Sequence, residues 1–338
     1  MPPGGAGHGE PTPPLLKRLD GPRRRDLLTV LGGLLLPAVG GPAEPPATPL
    51  PPLALPASSP LVSLGGLLLN RAAIGFGGLS GLHIDAELTL TSVSDLGYWL
   101  QARLVLDDAG GPRALEAVRT GGLSDGLVFG LPGKVANDAE SLARMPDGTW
   151  LVGFERWHRI RAYDDLAGWG RPAPSPPGLR DMPLNAGLES LAVLNDGRFL
   201  AISEGLKQDG DDLLRGWVGH PGAWVPISYR VSHGFVPTDA TPLPDGGALV
   251  MERRFNIWDP GFSGRLKRLP AAALATPRPG AILEPETLLE ATELPRENWE
   301  GVTTFPWRGR QLAALLTDDN ELFLQKGLLL LFAFRSGG

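Results

Sequence analysis

Acidic residues recur at the open ends of short apolar hairpins along this chain, and carboxylates spaced in this way can hold a hard cation or move a proton. Residues 140–155 (ESLARMPDGTWLVGFE) and 189–204 (ESLAVLNDGRFLAISE) share one pattern: acid, apolar segment, Asp-Gly, apolar segment, acid. Asp-Gly between apolar runs signals a two-residue hairpin turn, because such a turn needs φ > 0 at its central residues. With the turns on Asp147-Gly148 and Asp196-Gly197, Glu140 lies opposite Glu155 and Glu189 opposite Glu204. Weaker copies place Asp239 opposite Glu252, Ser80 opposite Asp95, and Glu300 opposite Asp319. Their turns are then Asp245-Gly246, Glu87-Leu88 and Gly309-Arg310. Like charges facing each other on a sheet repel, so a cation, nearby arginines or shifted pKa values must offset the cost.

The elements that position these acids are strands, repeated in steps of about 50–60 residues with glycine-marked turns. That period predicts an all-β chain folded as a β-propeller. The folded domain is expected over residues 61–338, and at about 40–50 residues per blade it divides into six. The sixth hairpin falls within residues 255–294, or else the strand-like Leu61–Leu69 and Leu328–Phe334 close the ring together. A short helix is expected near residues 270–276. If the acidic hairpins are the inner strand pairs, their open ends form a collar at one channel mouth. Its members are Asp95, Glu140, Glu155, Glu189, Glu204, Asp239, Glu252, Glu300, Asp318 and Asp319. Carboxylate oxygens are hard ligands suited to Ca²⁺ or Mg²⁺, so a subset is expected to bind a divalent metal, Ca²⁺ first. The other reading is that each acid accepts backbone N–H bonds from an adjacent loop.

Two hairpins end in Glu-Arg, at Glu155-Arg156 and Glu252-Arg253. Arg156 and Arg253 are therefore candidates to steer an anion, or else to pair with an acid of the next blade. His158 is a candidate acid or anion ligand, with a hydrogen-bonded structural role as the alternative. Glu189 and Glu204 complete the catalytic candidates, as metal ligands or base. Ser80 lacks the G-x-S-x-G elbow of a nucleophile, since Leu82 stands where glycine is needed. The nine tryptophans read chiefly as packing between blades, with stacking on a sugar-like ring as the other use.

Net charge −6 leaves no nucleic-acid footprint, and the absence of cysteine excludes disulfides and thiolate metal sites. Residues 1–40 read as a signal peptide: Arg23-Arg24-Arg25-Asp26-Leu27-Leu28 matches a twin-arginine pattern, followed by an apolar run over residues 27–39. That run is too short and glycine-rich for a stable membrane span. The expectation is export through the twin-arginine machinery to the periplasm or beyond. Residues 41–60, rich in proline and alanine, read as a disordered linker.

Several segments together resemble the phytase-like propeller family described as "esterase-like activity of phytase". They are GGLSGLHID (77–85), FERWHRI (154–160), LESLAVLNDGRFLAISE (188–204), GFVPTDATPLPDGGALVMERRF (234–255), NWEGVT (298–303) and the TDDN…Q ending (317–325). His83 and Lys326 depart from the residues usual at their positions. The dense aspartate signatures that hold calcium and phosphate in true β-propeller phytases are not found. The resemblance implies a secreted or periplasmic propeller, distantly similar to the calcium-dependent β-propeller phytases, and does not by itself establish catalysis; with the acidic collar, the first reading is a metal-assisted hydrolase of phosphate esters. The alternative is a non-enzymatic propeller binding a sugar-like, cationic or protein ligand at the same mouth.

Overall fold

The computed structural model describes residues 44–124, 137–208, 210, 212–320 and 325–335. The signal-peptide reading of residues 1–40 lies outside them. Strands β1 (Ala47–Leu50) and β2 (Leu61–Leu69) come first in the chain, but their blade is completed last. One sheet follows from β3 (Leu79–Ile84), β4 (Thr89–Ser94), β5 (Tyr98–Leu106) and β6 (Pro112–Gly122). The next is β7 (Ala139–Arg144), β8 (Trp150–Phe154), β9 (Arg159–Tyr163) and β10 (Arg171–Pro172). The third holds β11 (Ser190–Val193), β12 (Phe199–Lys207), β13 (Leu213–His220) and β14 (Ala223–Arg230). The fourth holds β15 (Val236–Pro242), β16 (Ala248–Asn256) and β17 (Gly261–Leu269). Two short strands add to the outer edges of these sheets: β18 (Ala281–Leu283) runs parallel to β14, and β19 (Glu286–Leu289) pairs with β17. The fifth sheet joins β20 (Asn298–Trp307), β21 (Arg310–Asp318) and β22 (Leu328–Phe334) to β2 and β1.

The innermost strands β3, β7, β11, β15 and β20 pack each against the next, and β20 returns to β3. The propeller therefore has five blades, not six. Residues 255–294 make no blade of their own, because they supply β17, the short helix α2 (Ala271–Ala275) and the two edge strands. The other short helix, α1 (Arg71–Ile74), is capped by the Asn70 side chain. The ring closes through both termini, as the second reading had it. β22 is held between β2 and β21, and Leu328–Phe334 is buried over nearly its whole length. A strand covered on both faces reads as a continuous apolar run, which is why LLLLFAF carries no alternation. Within the stretch read as linker, Ala47–Leu50 forms the outer strand of this blade. Apolar clusters fill the spaces between blades, where Trp217 and Trp299 are fully buried.

The inner hairpins turn differently from the two-residue expectation. Met145 N–H donates to Thr149 O and Gly148 N–H to Met145 O, so the loop has three residues and Gly148 takes φ +90°. The same geometry recurs at Gly197 (φ +81°) and Gly246 (φ +91°), and at Leu88 (φ 64°) without glycine. Such a loop is a type I turn followed by a left-handed residue. In the last hairpin the turn falls on Arg308-Gly309 rather than Gly309-Arg310. One residue of loop shifts the whole register. Ser141 therefore pairs with Gly153 and Ser190 with Ile202, so none of the expected acid pairs lies directly opposite. Four inner pairs also carry a register shift near the mouth, passing over Gly81, Glu140, Thr238 and Glu300. A bulge redirects the residue it inserts.

Candidate functional site

Bulged or standing at strand ends, the acids turn into the channel instead of facing one another. Glu140 and Glu300 occupy bulge positions, Glu189 immediately precedes β11, and Glu155 immediately follows β8. They line a cavity of about 200 Å³ with Ser80, Asp95, Asp138, Glu204, Asp318, Arg156, Arg253, Asn185 and Asn320. Eight carboxylates thus share one mouth with two guanidinium groups. Glycines permit the crowding: a Cβ on Gly78 would clash with Asp95 Oδ1, and one on Gly187 would lie 2.9 Å from Glu155 Cγ.

Arg253 reaches from β16 into the centre of this group. Its Nη2 donates to Glu204 Oε1 at 3.0 Å, and its Nη1 to Asn298 Oδ1 at 3.0 Å and to Glu300 Oε1. Glu189 Oε2 is 3.9 Å from Nη2. Arg156 Nε donates to Asp138 Oδ2. Ser80 Oγ donates to Glu140 Oε2 at 2.9 Å, and Gly187 N–H donates to Glu155 Oε1 at 3.2 Å. Arg253 therefore holds carboxylates of the third and fifth blades, as the inter-blade pairing expects, whereas Arg156 pairs with an acid of its own blade. Two sets of carboxylates, Asp138–Glu140–Glu155 and Glu155–Glu189–Glu204, each offer one oxygen within 4.8 Å of the others. Glu155 belongs to both sets. The cluster could bind a metal.

Other candidates stand elsewhere. Asp239 is fully buried and accepts N–H bonds from Val302 and Ala240, both at 2.8 Å, which ties the fourth blade to the fifth. Glu252 accepts the Tyr229 hydroxyl at 2.9 Å and the Ser232 N–H, tying the third blade to the fourth. These two follow the loop-binding reading rather than the metal one. Asp319 lies 3.8 Å from Arg71 on the far side of Asp318 and does not line the cavity. His158 Nε2 bonds the Pro183 carbonyl at 2.9 Å and lines a separate cleft of about 650 Å³, together with Trp157, Arg159, Arg161 and Arg180. Asp138 and the asparagines at 185, 298 and 320 were not among the sequence candidates. Asn298 and Asn320 stand in the NWEGVT and TDDN segments of the family resemblance, and Asp138 stands two residues before Glu140; Asn185, on a loop, had no such signal.

Burial and mutual repulsion raise the acids. Burial, then the charges of Glu300, Asp138 and Glu155, pushes Glu140 well above the usual carboxylate range. Burial and the Glu204 charge do the same to Glu189, against the pull of Arg253. Glu155 is pushed up to about 7, by burial first and then Asp138 and Glu204. Burial lifts Glu300 to about 8 and Asp318 to about 7. Burial disfavours the charge on Arg253, but Glu300, Glu189, Glu204 and Glu140 outweigh it and hold the guanidinium charged. A carboxyl whose folded pKa exceeds its unfolded value of about 4 lets the fold keep a proton that the unfolded chain has lost. The resulting stability is full at low pH and is lost as pH rises through the folded pKa. The metal-free protein is therefore expected to melt at progressively lower temperature between pH 5 and pH 8. Thermal scans in a chelator check this, and a melting temperature that rose with pH would mean the carboxyls do not share one dry site.

The family model described as "Phytase-like: Esterase-like activity of phytase" matches residues 74–321. Among solved structures, an endo-arabinase from Bacteroides thetaiotaomicron is 11% identical with a TM-score of 0.44, over 88% of this chain and 96% of that one. A gluconolactonase from Xanthomonas campestris is 13% identical with a TM-score of 0.41, over 87% and 99%. No curated protein matches the chain.

Proposed function

The chain belongs to the phytase-like family, and we propose that it is an exported, metal-dependent hydrolase of phosphate esters working at the acidic mouth, with Ca²⁺ as its ion. The observation that carries the reading is the pair of carboxylate triads sharing Glu155. The donor set fits a hard cation. All ligand atoms of the triads are carboxylate oxygens, and several are available, as the six to eight oxygens taken by Ca²⁺ require. Glu189 Oε2 and Asp318 Oδ1 are buried without a hydrogen-bond partner, Glu189 being 6% exposed. Buried carboxylates short of hydrogen-bond partners are costly to ionise, and a cation beside them would offset that cost.

A bound divalent ion would polarise the phosphoryl oxygen and make a nucleophile of its water. The chain's own residues have distinct tasks around it. Asp138, Glu140, Glu155, Glu189 and Glu204 would hold the ion, while Arg253 keeps Glu204 and Glu300 in place. Glu300, poised near 8, suits proton transfer at neutral pH. Export rests on the Arg23-Arg24-Arg25 motif and would place the mouth in a calcium-containing compartment.

Phosphomonoester and carboxylester turnover by the full chain, stripped with chelator and then given Ca²⁺ or Mg²⁺, tests the reading. Phosphate release that vanishes on stripping and returns with the ion is expected. Tight metal binding with no turnover of either ester class would move the assignment to a binding propeller.

A further inference from the structure

Nine large apolar side chains are exposed among the described residues, and six of them lie close in sequence to residues that line the mouth. Tyr98 follows Asp95 by three residues, Trp157 adjoins Arg156, Leu184 adjoins Asn185, and Phe255, Ile257 and Trp258 follow Arg253. Each thus stands within five residues of a side chain that lines the carboxylate cavity. The β4–β5, β8–β9 and β16–β17 turns that carry five of them lie at the same ends of their sheets as the acids. Scattered exposed apolar residues are ordinary, but a group of them at one site marks a contact.

The most prominent part is the arm formed by β16 and β17. Phe255 and Phe262 face each other across it with ring centroids 5.1 Å apart, and Ile257 and Trp258 at its tip are 67% and 90% exposed. The arm is continuous with the cavity, since the Arg253 guanidinium lies 5.8 Å from the Phe262 ring centroid while its nitrogens hold Glu204 and Glu300. Elsewhere at this end of the ring, Tyr98 is stacked on Phe76 at 5.1 Å and Arg159 lies over Trp157 at 4.7 Å. The cavity's own cations, Arg156 and Arg253, are already bonded to Asp138, Glu204 and Glu300. A ligand entering this mouth therefore meets one strongly charged centre and an apolar rim.

We infer that the mouth takes a phosphate ester whose alcohol part is apolar, an aryl or alkyl group, and that the arm tipped by Ile257 and Trp258 is the element that holds that group. The inference rests on the proposed hydrolase reading and sets the substrate class within it. An alcohol part rich in hydroxyls would leave the rim's apolar surface in water. An aryl or alkyl group removes that surface from water at about 25 cal/mol per Å², and an indole adds ring stacking.

The test uses the full chain loaded with Ca²⁺ and two non-hydrolysable probes, 1-naphthyl phosphonate and methyl phosphonate, titrated by calorimetry. The naphthyl compound is expected to bind at least about tenfold more tightly, as burial of an aromatic group requires. The Ile257→Ser/Trp258→Ser double variant should lose most of that margin and keep the affinity for methyl phosphonate. Since both side chains are exposed, its melting temperature should stay within about 2 °C of the parent. Equal affinities for the two probes, or a double variant that still prefers naphthyl phosphonate, would overturn the inference while metal-dependent turnover survives. Association with phosphatidylcholine vesicles without a preference for the soluble naphthyl probe would also overturn it, assigning the arm to a lipid surface. If neither phosphonate binds and no ester turns over, the hydrolase reading fails and takes the substrate class with it.

Discussion

Replacing Glu155 with glutamine is expected to abolish metal-dependent turnover and at the same time to stabilise the metal-free protein. The two effects have opposite signs because one carboxylate serves two purposes. Glu155 is the member common to both triads, so its loss removes a ligand from each. Losing only a supporting partner of a metal ligand costs about 10–100-fold in affinity or activity, and loss of a shared ligand should cost no less. In the metal-free fold, the same carboxylate faces Asp138 and Glu204 with burial already opposing its charge. Glutamine keeps the shape and the acceptor for the Gly187 N–H while removing the repulsion. Relief of about 1 kcal/mol raises the melting temperature of a domain of this size by roughly 2–4 °C. The gain should appear at pH 8 and vanish at pH 5, where the carboxyl of the parent is protonated. Calorimetric Ca²⁺ titration and melts at the two pH values decide the matter. A variant that still binds Ca²⁺ with parental affinity would remove the shared site, and one that melts lower at pH 8 would show that Glu155 is there for structure.

Arg253→Met is expected to be the most damaging single change at the mouth. The guanidinium bonds Glu204, Glu300 and Asn298 and neighbours Glu189. Removing it leaves several carboxylates in a dry site without a counter-charge, and breaking a buried pair from one side costs about 3–5 kcal/mol. The loss should be largest at pH 8 without metal. At pH 5 it should shrink, because Glu300, lifted to about 8, is then neutral and Glu189 is shifted the same way. Added Ca²⁺ should recover part of it by supplying positive charge to the same oxygens. Arg253→Lys keeps the charge but not the planar fork that reaches two acids and an amide at once, so an intermediate loss is expected. Urea unfolding at the two pH values, with and without Ca²⁺, measures all four conditions. An Arg253→Met protein as stable as the parent at pH 8 would mean that the acids already share enough protons to need no counter-ion.

Much of this site could be read from residue order alone, and the part that could not has a local cause. The repeated acid–hairpin–acid segments marked Glu140, Glu155, Glu189, Glu204 and Glu300 as a group, and those five do meet in one cavity. The same argument also carried Asp239 and Glu252, which instead join blades through backbone N–H and hydroxyl donors. Nothing in the spacing separates the two outcomes, because both sets sit at the ends of equivalent hairpins. The difference lies in the bulge. It falls on Glu300 and Glu140 in two blades but on Thr238 in the fourth, so Asp239 pairs with Met251 and points away from the mouth. Asp138, which belongs to one metal-competent triad, was overlooked since it precedes the strand on which the pattern was sought.

Residue order sets the kind of structure and the chemistry available to it. Alternating apolar segments between glycine turns dictate strands, the recurrence dictates a ring of blades, and Leu61–Leu69 with Leu328–Phe334 were marked as the pair able to close it. Tertiary structure decided the number of blades and which acids converge. Strand side chains alternate with a period of two, so one extra residue in a turn or one bulge moves a carboxylate to the opposite face. Blade count depends on whether residues 255–294 fold alone or lie along sheets already built, and that is settled by packing against β14 and β17. The shared mouth exists only once β20 meets β3 and the ring is closed, because its charges come from all five blades and interact with one another only when they are brought together out of water.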